Sequence, residues 1–171
     1  MGYTVFLSHS TKDRDLIADM AAYLQAKGIK AYVAEWDMAP GKDLPGKVAT
    51  EIKRSDCVVA ILTKSGARSE WVKQEYACAI GAGKLVIPFA EKGVKVKGFL
   101  EAKECIRFDR TDPDSMKSAM ERLRDHLDRL HIEKKEGFKR ALWIVGGLVL
   151  LSMLFPDEEK QKPQRNSTFA I

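Results

Sequence analysis

A tryptophan and a glutamate, Trp71 and Glu75, lie four residues apart in the segment SEWVKQEYACAI. Ser69 is a favourable helix N-cap and Glu70 would lie in the first turn, so we predict a helix that runs to about Gly81. Residues i and i+4 share one face of a helix, which places the carboxylate beside the indole ring. A carboxylate in this partly apolar setting suits the stabilisation of a cationic transition state, whereas the structural alternative is an exposed helix glutamate.

Three polar segments follow predicted strands: residues 8–10 (Ser-His-Ser), residues 35–44 (EWDMAPGKDL) and residues 63–75. In an open parallel sheet, ligands bind beyond the carboxyl ends of the strands. Together the three segments would therefore line one crevice. Each also has a purely structural interpretation, since Ser10 can cap the first helix and the Pro-Gly of the second segment can form a turn.

Strand-like and helix-like segments alternate through the first 110 residues. Repeated strand–helix units indicate a parallel sheet with right-handed crossovers, and so an α/β three-layer domain. The predicted strands are residues 3–7, 29–34, 57–62, 85–89 and 105–108. The predicted helices are residues 12–26, 45–54 and 69–81, and a last helix that is capped by Asp112 or Asp114.

The composition excludes several classes of protein. The chain has 171 residues and a net charge of +5 without a sustained basic block, so no nucleic-acid partner is expected. Its three cysteines are odd in number and far apart, which is typical of reduced, cytosolic thiols. None of its three histidines lies near a second ligand at metal-binding spacing, so no metal site is expected.

The C-terminal part of the chain differs from the rest. Residues 141–155 (ALWIVGGLVLLSMLF) carry no charge, and basic residues precede them. We predict a domain over residues 1–130, a linker over 131–138, a transmembrane helix over 139–155 and a polar, disordered tail over 156–171. The basic flank would keep the domain on the cytosolic side, giving a single-pass membrane protein. The alternative is a helix buried against the domain or a partner, in a cytoplasmic protein.

Three sequence stretches within residues 1–130 resemble, in the same order, the motifs of a known protein family. They are YTVFLSHSTKD, GIKAYVAEWDMAPGKDL and IKRSDCVVAILTKSGARSEWVKQEYACAIGAGKLVIPF. The chain resembles a Toll/interleukin-1 receptor (TIR) domain of the prokaryotic, NAD-cleaving type. This resemblance implies a flavodoxin-like fold with a five-stranded parallel sheet in the order 2-1-3-4-5.

The resemblance also implies roles for individual residues. Glu75, four residues after Trp71, matches the catalytic glutamate of enzymatic TIR domains. Many family members have an acidic residue where this chain has Ala34, and either Glu35 or Asp37 would take over that role. The nucleotide-binding residues implied are, first, Phe6, Ser8 and Ser10 at the end of the first strand and in its loop. The others are Glu35, Asp37 and Trp71, together with Pro40 and Gly41 in a loop that closes over the site and contacts neighbouring protomers.

The expected function is therefore cleavage of the nicotinamide–ribose bond of NAD in defence or cell-death signalling. NAD is the substrate, no further cofactor is expected, and the TIR domains are expected to self-associate. Two alternatives stay open: a non-catalytic TIR adaptor that recruits partner proteins, and a nucleoside-transferring enzyme of similar fold. The product, whether linear, cyclic or base-exchanged, is also open.

Overall fold

The computed structural model describes residues 3–34 and 44–154, with side chains for residues 3–34 and 45–137. Within these residues five parallel strands form one sheet in the order β2-β1-β3-β4-β5, which confirms the expected fold class. The strands are β1 (Thr4–Ser8), β2 (Lys30–Tyr32), β3 (Cys57–Leu62), β4 (Leu85–Glu91) and β5 (Ile106–Phe108). The helices are α1 (Arg14–Ala26), α2 (Leu44–Arg54), α3 (Glu70–Gly81) and α4 (Pro113–Leu154).

The central strand β3 has the apolar sequence CVVAIL, and all six of its residues are buried. Because successive strand residues point to opposite faces of the sheet, this run requires cover on both faces. Val58 and Ala60 pack in one cluster with Ile52 of α2 and Val72 of α3. The helices α2 and α3 therefore lie together over one face of the sheet, beside the strand that leads into the candidate site.

Side-chain caps explain where two of the helices begin. The Ser69 hydroxyl accepts a hydrogen bond from the Val72 amide, so α3 begins at Glu70 as the sequence predicts. Asp112 directly precedes α4, and its carboxylate accepts hydrogen bonds from the amides of Asp114 and Ser115 in the first turn. The sequence left Asp112 and Asp114 open as the N-cap of α4, and Asp112 is the residue that caps it.

The pairing of β1 with β3 brings the carboxyl ends of both strands to one edge of the sheet. Ser8 lies opposite Ala60 in this register. Beyond Ser8, residues Thr11–Asp13 form a short 3-10 turn before α1, so the helix begins two residues later than predicted. Ser8 therefore ends a buried strand at the carboxyl edge of the sheet.

The C-terminal part of the chain is helical in backbone as far as Leu154. Helix α4 continues through residues 131–138, where the sequence predicts a linker. The chain divides into two compact units, Met1–Arg129 and Leu130–Ile171, and the predicted tail over residues 156–171 lies outside the described residues.

The expected transmembrane helix over residues 139–155 is not supported. In the part of the chain that the structure describes, no helix is both long enough and apolar enough to cross a bilayer. The uncharged run 141–155 would extend only about 22 Å as a helix, less than the ~30 Å hydrocarbon core.

Candidate active site

Helix α3 carries the two residues that the sequence selects for chemistry. The Trp71 indole Nε1–H donates a hydrogen bond of 2.7 Å to Glu75 Oε1. This bond spans one turn of the helix, as the i, i+4 spacing predicts. The Glu75 side chain is 5% exposed, so the interpretation of Glu75 as an exposed surface glutamate is wrong.

Strand β1 supplies the second donor to the same carboxylate. The Ser8 hydroxyl donates a hydrogen bond of 2.6 Å to Glu75 Oε2, and both groups are buried. A buried carboxylate is costly unless its oxygens accept hydrogen bonds. Ser8 and Trp71 together therefore hold Glu75 in one orientation, because each oxygen accepts a hydrogen bond from one of them.

A cavity of about 180 Å³ opens beside this carboxylate, between helices α2 and α3. Its walls are mostly apolar, with Glu75 as the one carboxylate among the described lining residues. The lining residues are Pro45, Val48, Ala49 and Ile52 from α2, and Trp71, Gln74, Glu75 and Cys78 from α3. A fixed negative charge in an apolar wall can accept hydrogen bonds from hydroxyl groups and stabilise a positive charge that develops in the cavity.

A buried aspartate ties together three of the loops at this edge of the sheet. Asp13 accepts hydrogen bonds from the Thr63 hydroxyl at 2.7 Å and from Arg110 Nη2 at 2.8 Å. Thr63 Oγ1 in turn accepts a hydrogen bond of 2.8 Å from the Gly66 amide. The network joins the segments after β1, β3 and β5, and so fixes the loop that leads into Trp71.

Two of the predicted nucleotide-binding residues, Phe6 and Ser10, have structural partners within the domain. Phe6 is fully buried and stacks on Tyr32, with ring centroids 5.6 Å apart, so it does not reach the cavity. The Ser10 hydroxyl accepts a hydrogen bond of 3.4 Å from the Lys12 amide and caps the 3-10 turn. This is the structural alternative that the sequence left open for Ser10.

The remaining predicted positions, Glu35, Asp37, Pro40 and Gly41, lie outside the described residues. The structure thus brings Ser8, Trp71 and Glu75 together.

Sequence reasoning missed Gln74 and Cys78, which line the cavity beside Glu75. Helical spacing was the available signal, because Cys78 follows Trp71 by seven residues and shares its face.

The cysteines and possible metal ligands complete the inventory of reactive groups. All three cysteines are free, as the sequence predicts. Burial raises the pKa of the Cys57 thiol to about 12, so this thiol is inert at neutral pH. Among the described residues, no cluster of three or more histidine, cysteine, aspartate or glutamate side chains could hold a metal ion.

The sheet order defines a flavodoxin-like α/β domain, with the buried Glu75 carboxylate as a candidate site at the carboxyl edge of the sheet. Residues 5–124 match the sequence model of the TIR domain family, well over half of the chain. The chain belongs to the TIR domain family.

One relative has a name that states an activity. It is the probable 2′ cyclic ADP-D-ribose synthase TcpO of Methanobrevibacter olleyae, 28% identical over 75 residues. The match covers 43% of this chain and 22% of that protein, so the chain spans about a fifth of the relative's length.

Solved structures share the fold at low sequence identity. The TIR domain of the Toll-related receptor TRR-2 from Hydra magnipapillata superposes with a TM-score of 0.61 at 18% identity, covering 72% of this chain and 97% of that one. A metazoan TIR-STING receptor from C. gigas gives 0.56 at 21% identity, covering 68% and 38%. A 2-deoxyribosyltransferase from Bacillus psychrosaccharolyticus gives 0.52 at 13% identity, covering 62% and 85%. At these identities, the similarities establish the fold and nothing more.

Proposed function

We propose that this TIR domain is an NAD nucleosidase that breaks the nicotinamide–ribose bond to give ADP-ribose or a cyclic isomer. The proposal rests on the carboxylate of Glu75, which is buried, accepts a hydrogen bond on each oxygen and lines a cavity. The name of the Methanobrevibacter olleyae relative supports NAD-derived chemistry at the level of the family.

The proposed reaction needs a negative charge at a fixed position. The bond between ribose C1′ and the pyridinium nitrogen breaks, and its electron pair stays with nicotinamide, which leaves as a neutral molecule. The ribose passes through an oxocarbenium-like transition state, as in other glycoside cleavages. Water, or a hydroxyl of the same molecule, then forms the new bond to C1′ and releases a proton.

Glu75 would act on the ribose in this reaction. Its carboxylate would accept hydrogen bonds from the ribose hydroxyls and stabilise the positive charge that develops on the sugar. The donors Trp71 and Ser8 would keep the carboxylate aimed into the cavity without reorganisation during the reaction. Because the leaving group is already cationic in NAD, neither a metal nor a further cofactor is required.

We further propose that a second copy of the chain completes the site. Typical ligand pockets measure ~300–1,000 Å³, so a cavity of about 180 Å³ takes only part of a dinucleotide. The rest of the molecule would then lie against other surfaces, including the loop of Pro40 and Gly41 and a neighbouring TIR domain. Defence or cell-death signalling would follow from NAD loss or from the product once the domains associate.

If a second chain completes the site, the specific activity must depend on protein concentration. NAD turnover per chain should rise as the full-length protein is concentrated, in step with dimers or larger species in analytical ultracentrifugation. Gly41→Trp should reduce association and turnover together while leaving the melting temperature unchanged. Constant specific activity over a wide dilution range, with sedimentation as monomers only, would contradict this part of the proposal.

Substrate incubation separates the three classes of function. Purified full-length protein is incubated with NAD in one reaction, and with a 2′-deoxynucleoside and a second free base in another, and both are analysed by mass spectrometry. We expect nicotinamide and ADP-ribose or its cyclic isomer from the first reaction and no base exchange in the second. Base exchange alone would identify a nucleoside-transferring enzyme. No turnover in either reaction would favour the non-catalytic adaptor.

A further inference from the structure

A second and larger cavity lies beside the same helix α3. It measures about 830 Å³ and is enclosed by the loop after β3, by α3 and by the loop after β4. We call this cavity the basic basin. Its described lining residues are Leu62, Lys64, Gly66, Ala67, Arg68, Lys73, Tyr76, Gly93, Val94, Lys95, Val96, Lys97, Gly98 and Leu100.

The described side chains that line the basic basin give it a strongly positive charge. Among the described residues that line it, five are cationic and none is acidic. Lys73 forms an ion pair of 2.6 Å with Glu70, which offsets one of these charges. Lys64, Arg68, Lys95 and Lys97 are exposed at the rim. Such a convergence of cations raises the local concentration of anions.

The loop after β4 explains how two of the lysines reach the rim. In the segment GVKVKG the valines alternate with the lysines: Val94 is buried, while Lys95 and Lys97 are exposed. Gly93 and Gly98 bound the segment with φ values of 82° and 67°, a conformation that favours glycine. The stretch between these two glycines therefore buries Val94 and leaves Lys95 and Lys97 exposed at the cavity.

The floor of the basin is apolar and contains an aromatic ring. Leu62, Val94 and Leu100 are buried there, and Tyr76 is partly buried against the same core cluster. A volume of about 830 Å³ is in the ~300–1,000 Å³ range of small-molecule sites. An apolar floor under a cationic rim suits a ligand with a flat ring and an anionic group.

The basic basin is separate from the Glu75 cavity. The residues of α3 that line the basin, Lys73 and Tyr76, are three apart, and they lie on the opposite face of the helix from Trp71, Glu75 and Cys78. No residue lines both cavities among those described. A ligand in the basin would therefore leave the proposed catalytic carboxylate free.

We propose that the basic basin binds a small phosphorylated ligand with an aromatic ring, of the nucleoside monophosphate class. The phosphate lies among Lys64, Arg68, Lys95 and Lys97, and the ring lies on the apolar floor. A nucleic acid would need cations spread along an extended stripe, whereas these cations converge on one concavity. The proposal does not depend on NAD cleavage.

Calorimetric titration of the full-length protein with adenosine monophosphate, adenosine and inorganic phosphate tests the site. We expect the monophosphate to bind at least about tenfold more tightly than adenosine, because only the phosphate makes charge-assisted hydrogen bonds. It should also bind more tightly than inorganic phosphate, which lacks the ring, and its affinity should fall as the ionic strength rises.

Two double variants with the same loss of charge locate the binding. Lys95→Gln with Lys97→Gln should weaken monophosphate binding about tenfold. Lys30→Gln with Lys53→Gln, which alters two exposed lysines that do not line the basin, should bind like the parent protein. Glu75→Gln should also retain binding, so failure of the proposed NAD chemistry and failure of this site are distinguishable.

Four results would overturn the proposal. They are equal affinity for the monophosphate and adenosine, unchanged affinity in the Lys95/Lys97 variant, loss of monophosphate binding in Glu75→Gln, and binding of a duplex oligonucleotide without binding of the monophosphate. Circular dichroism and melting temperatures of all variants ensure that a loss of affinity is not a loss of fold.

Discussion

Glu75 is the residue on which the proposed chemistry depends, and it accepts hydrogen bonds from two different elements. Trp71 lies one turn away on the same helix, and Ser8 lies 67 residues away in sequence, at the end of β1. The carboxylate is therefore oriented by the helix and by the sheet at once. Loss of either donor should affect catalysis as well as stability.

Ser8→Ala tests the donor from the sheet. Removing the hydroxyl takes one hydrogen bond from a buried carboxylate, which should cost about 1–3 kcal/mol in the free energy of unfolding. We also expect NAD turnover by the folded protein to fall about tenfold or more, because the carboxylate loses its fixed orientation. Chemical denaturation and nicotinamide release are the two measurements.

Ser55→Ala is the matched control. Ser55 is also buried, and its hydroxyl donates to the Glu51 carbonyl at 2.9 Å, away from the cavity. This variant should lose stability of about 0.5–1.5 kcal/mol and keep its turnover. If Ser8→Ala and Ser55→Ala retain the same turnover, Ser8 has no positioning role.

Sequence reasoning finds local contacts at this scale and misses distant ones. The i, i+4 spacing predicts that Trp71 and Glu75 share a face, and their hydrogen bond confirms it. The Ser8–Glu75 bond depends on the strand order and on the packing of α3 against the sheet, which no local pattern encodes. Phe6, in the middle of β1 and fully buried against Tyr32, shows that a position on the strand leading to the site does not itself place a side chain in the cavity.

At the scale of elements, the loop between β3 and α3 connects the sheet to the candidate site. Gly66 lies in this loop, and a Cβ added there would be 2.2 Å from the Ile61 carbonyl oxygen. The Gly66 amide also donates to Thr63 Oγ1, which is bonded to the buried Asp13. The close backbone approach requires glycine at this position.

Gly66→Ala should therefore destabilise the domain. The backbone of the loop must shift to relieve the clash, at a cost of about 2 kcal/mol or more in the free energy of unfolding. In Gly81→Ala, at the end of α3, the added Cβ meets nothing within 4 Å, so the stability should be unchanged or rise by up to about 1 kcal/mol. Equal midpoints of urea denaturation for the two variants would show that the loop tolerates the displacement.

Element boundaries were predictable where local chemistry determines them. Ser69 caps α3 as expected, and β3 begins and ends at the predicted residues because its apolar run is bounded by polar ones. The predicted strand over residues 29–34 is shorter in the structure, at Lys30–Tyr32. This strand lies at the edge of the sheet and pairs only with β1 among the described strands, so its length depends on one neighbour.

At the scale of the whole molecule, the sheet and its helices are complete before the C-terminal segment. Among the described side chains of α4, those that are buried are Ala119, Met120, Leu123 and Leu127, and all precede Leu130, where the second compact unit begins. The order of the strands followed from the family resemblance and is confirmed. The membrane span was inferred from an uncharged run with a basic flank, and no helix among the described residues is long and apolar enough to support it.

A chain that ends at Glu133 should fold on its own. It keeps all the side chains of α4 that are buried in the part the structure describes, so we expect cooperative unfolding with a melting temperature within about 4 °C of the full chain, a shift equivalent to less than about 1 kcal/mol. A chain that ends at Lys117 loses the buried Leu123 and Leu127, each worth about 1.5–3 kcal/mol. It should unfold or aggregate. Failure of the Glu133 truncation to fold would mean that the second unit is required for stability.

The substitution Glu75→Gln tests the central claim most directly. An amide can still accept from Trp71 and donate to Ser8, so the packing should survive while the negative charge is lost. Glu70→Gln is the matched control, because Glu70 is on the same helix with a side chain that is 77% exposed. Both variants should melt close to the wild-type temperature.

The measurement is the rate of nicotinamide release from NAD at a protein concentration that favours association. We predict a loss of about 100-fold or more in Glu75→Gln, since preorganised charge opposite a developing charge is often the largest catalytic contribution. Glu70→Gln should release nicotinamide at the wild-type rate. Wild-type turnover in Glu75→Gln, or no NAD consumption by the associated wild-type protein, would contradict the proposed function.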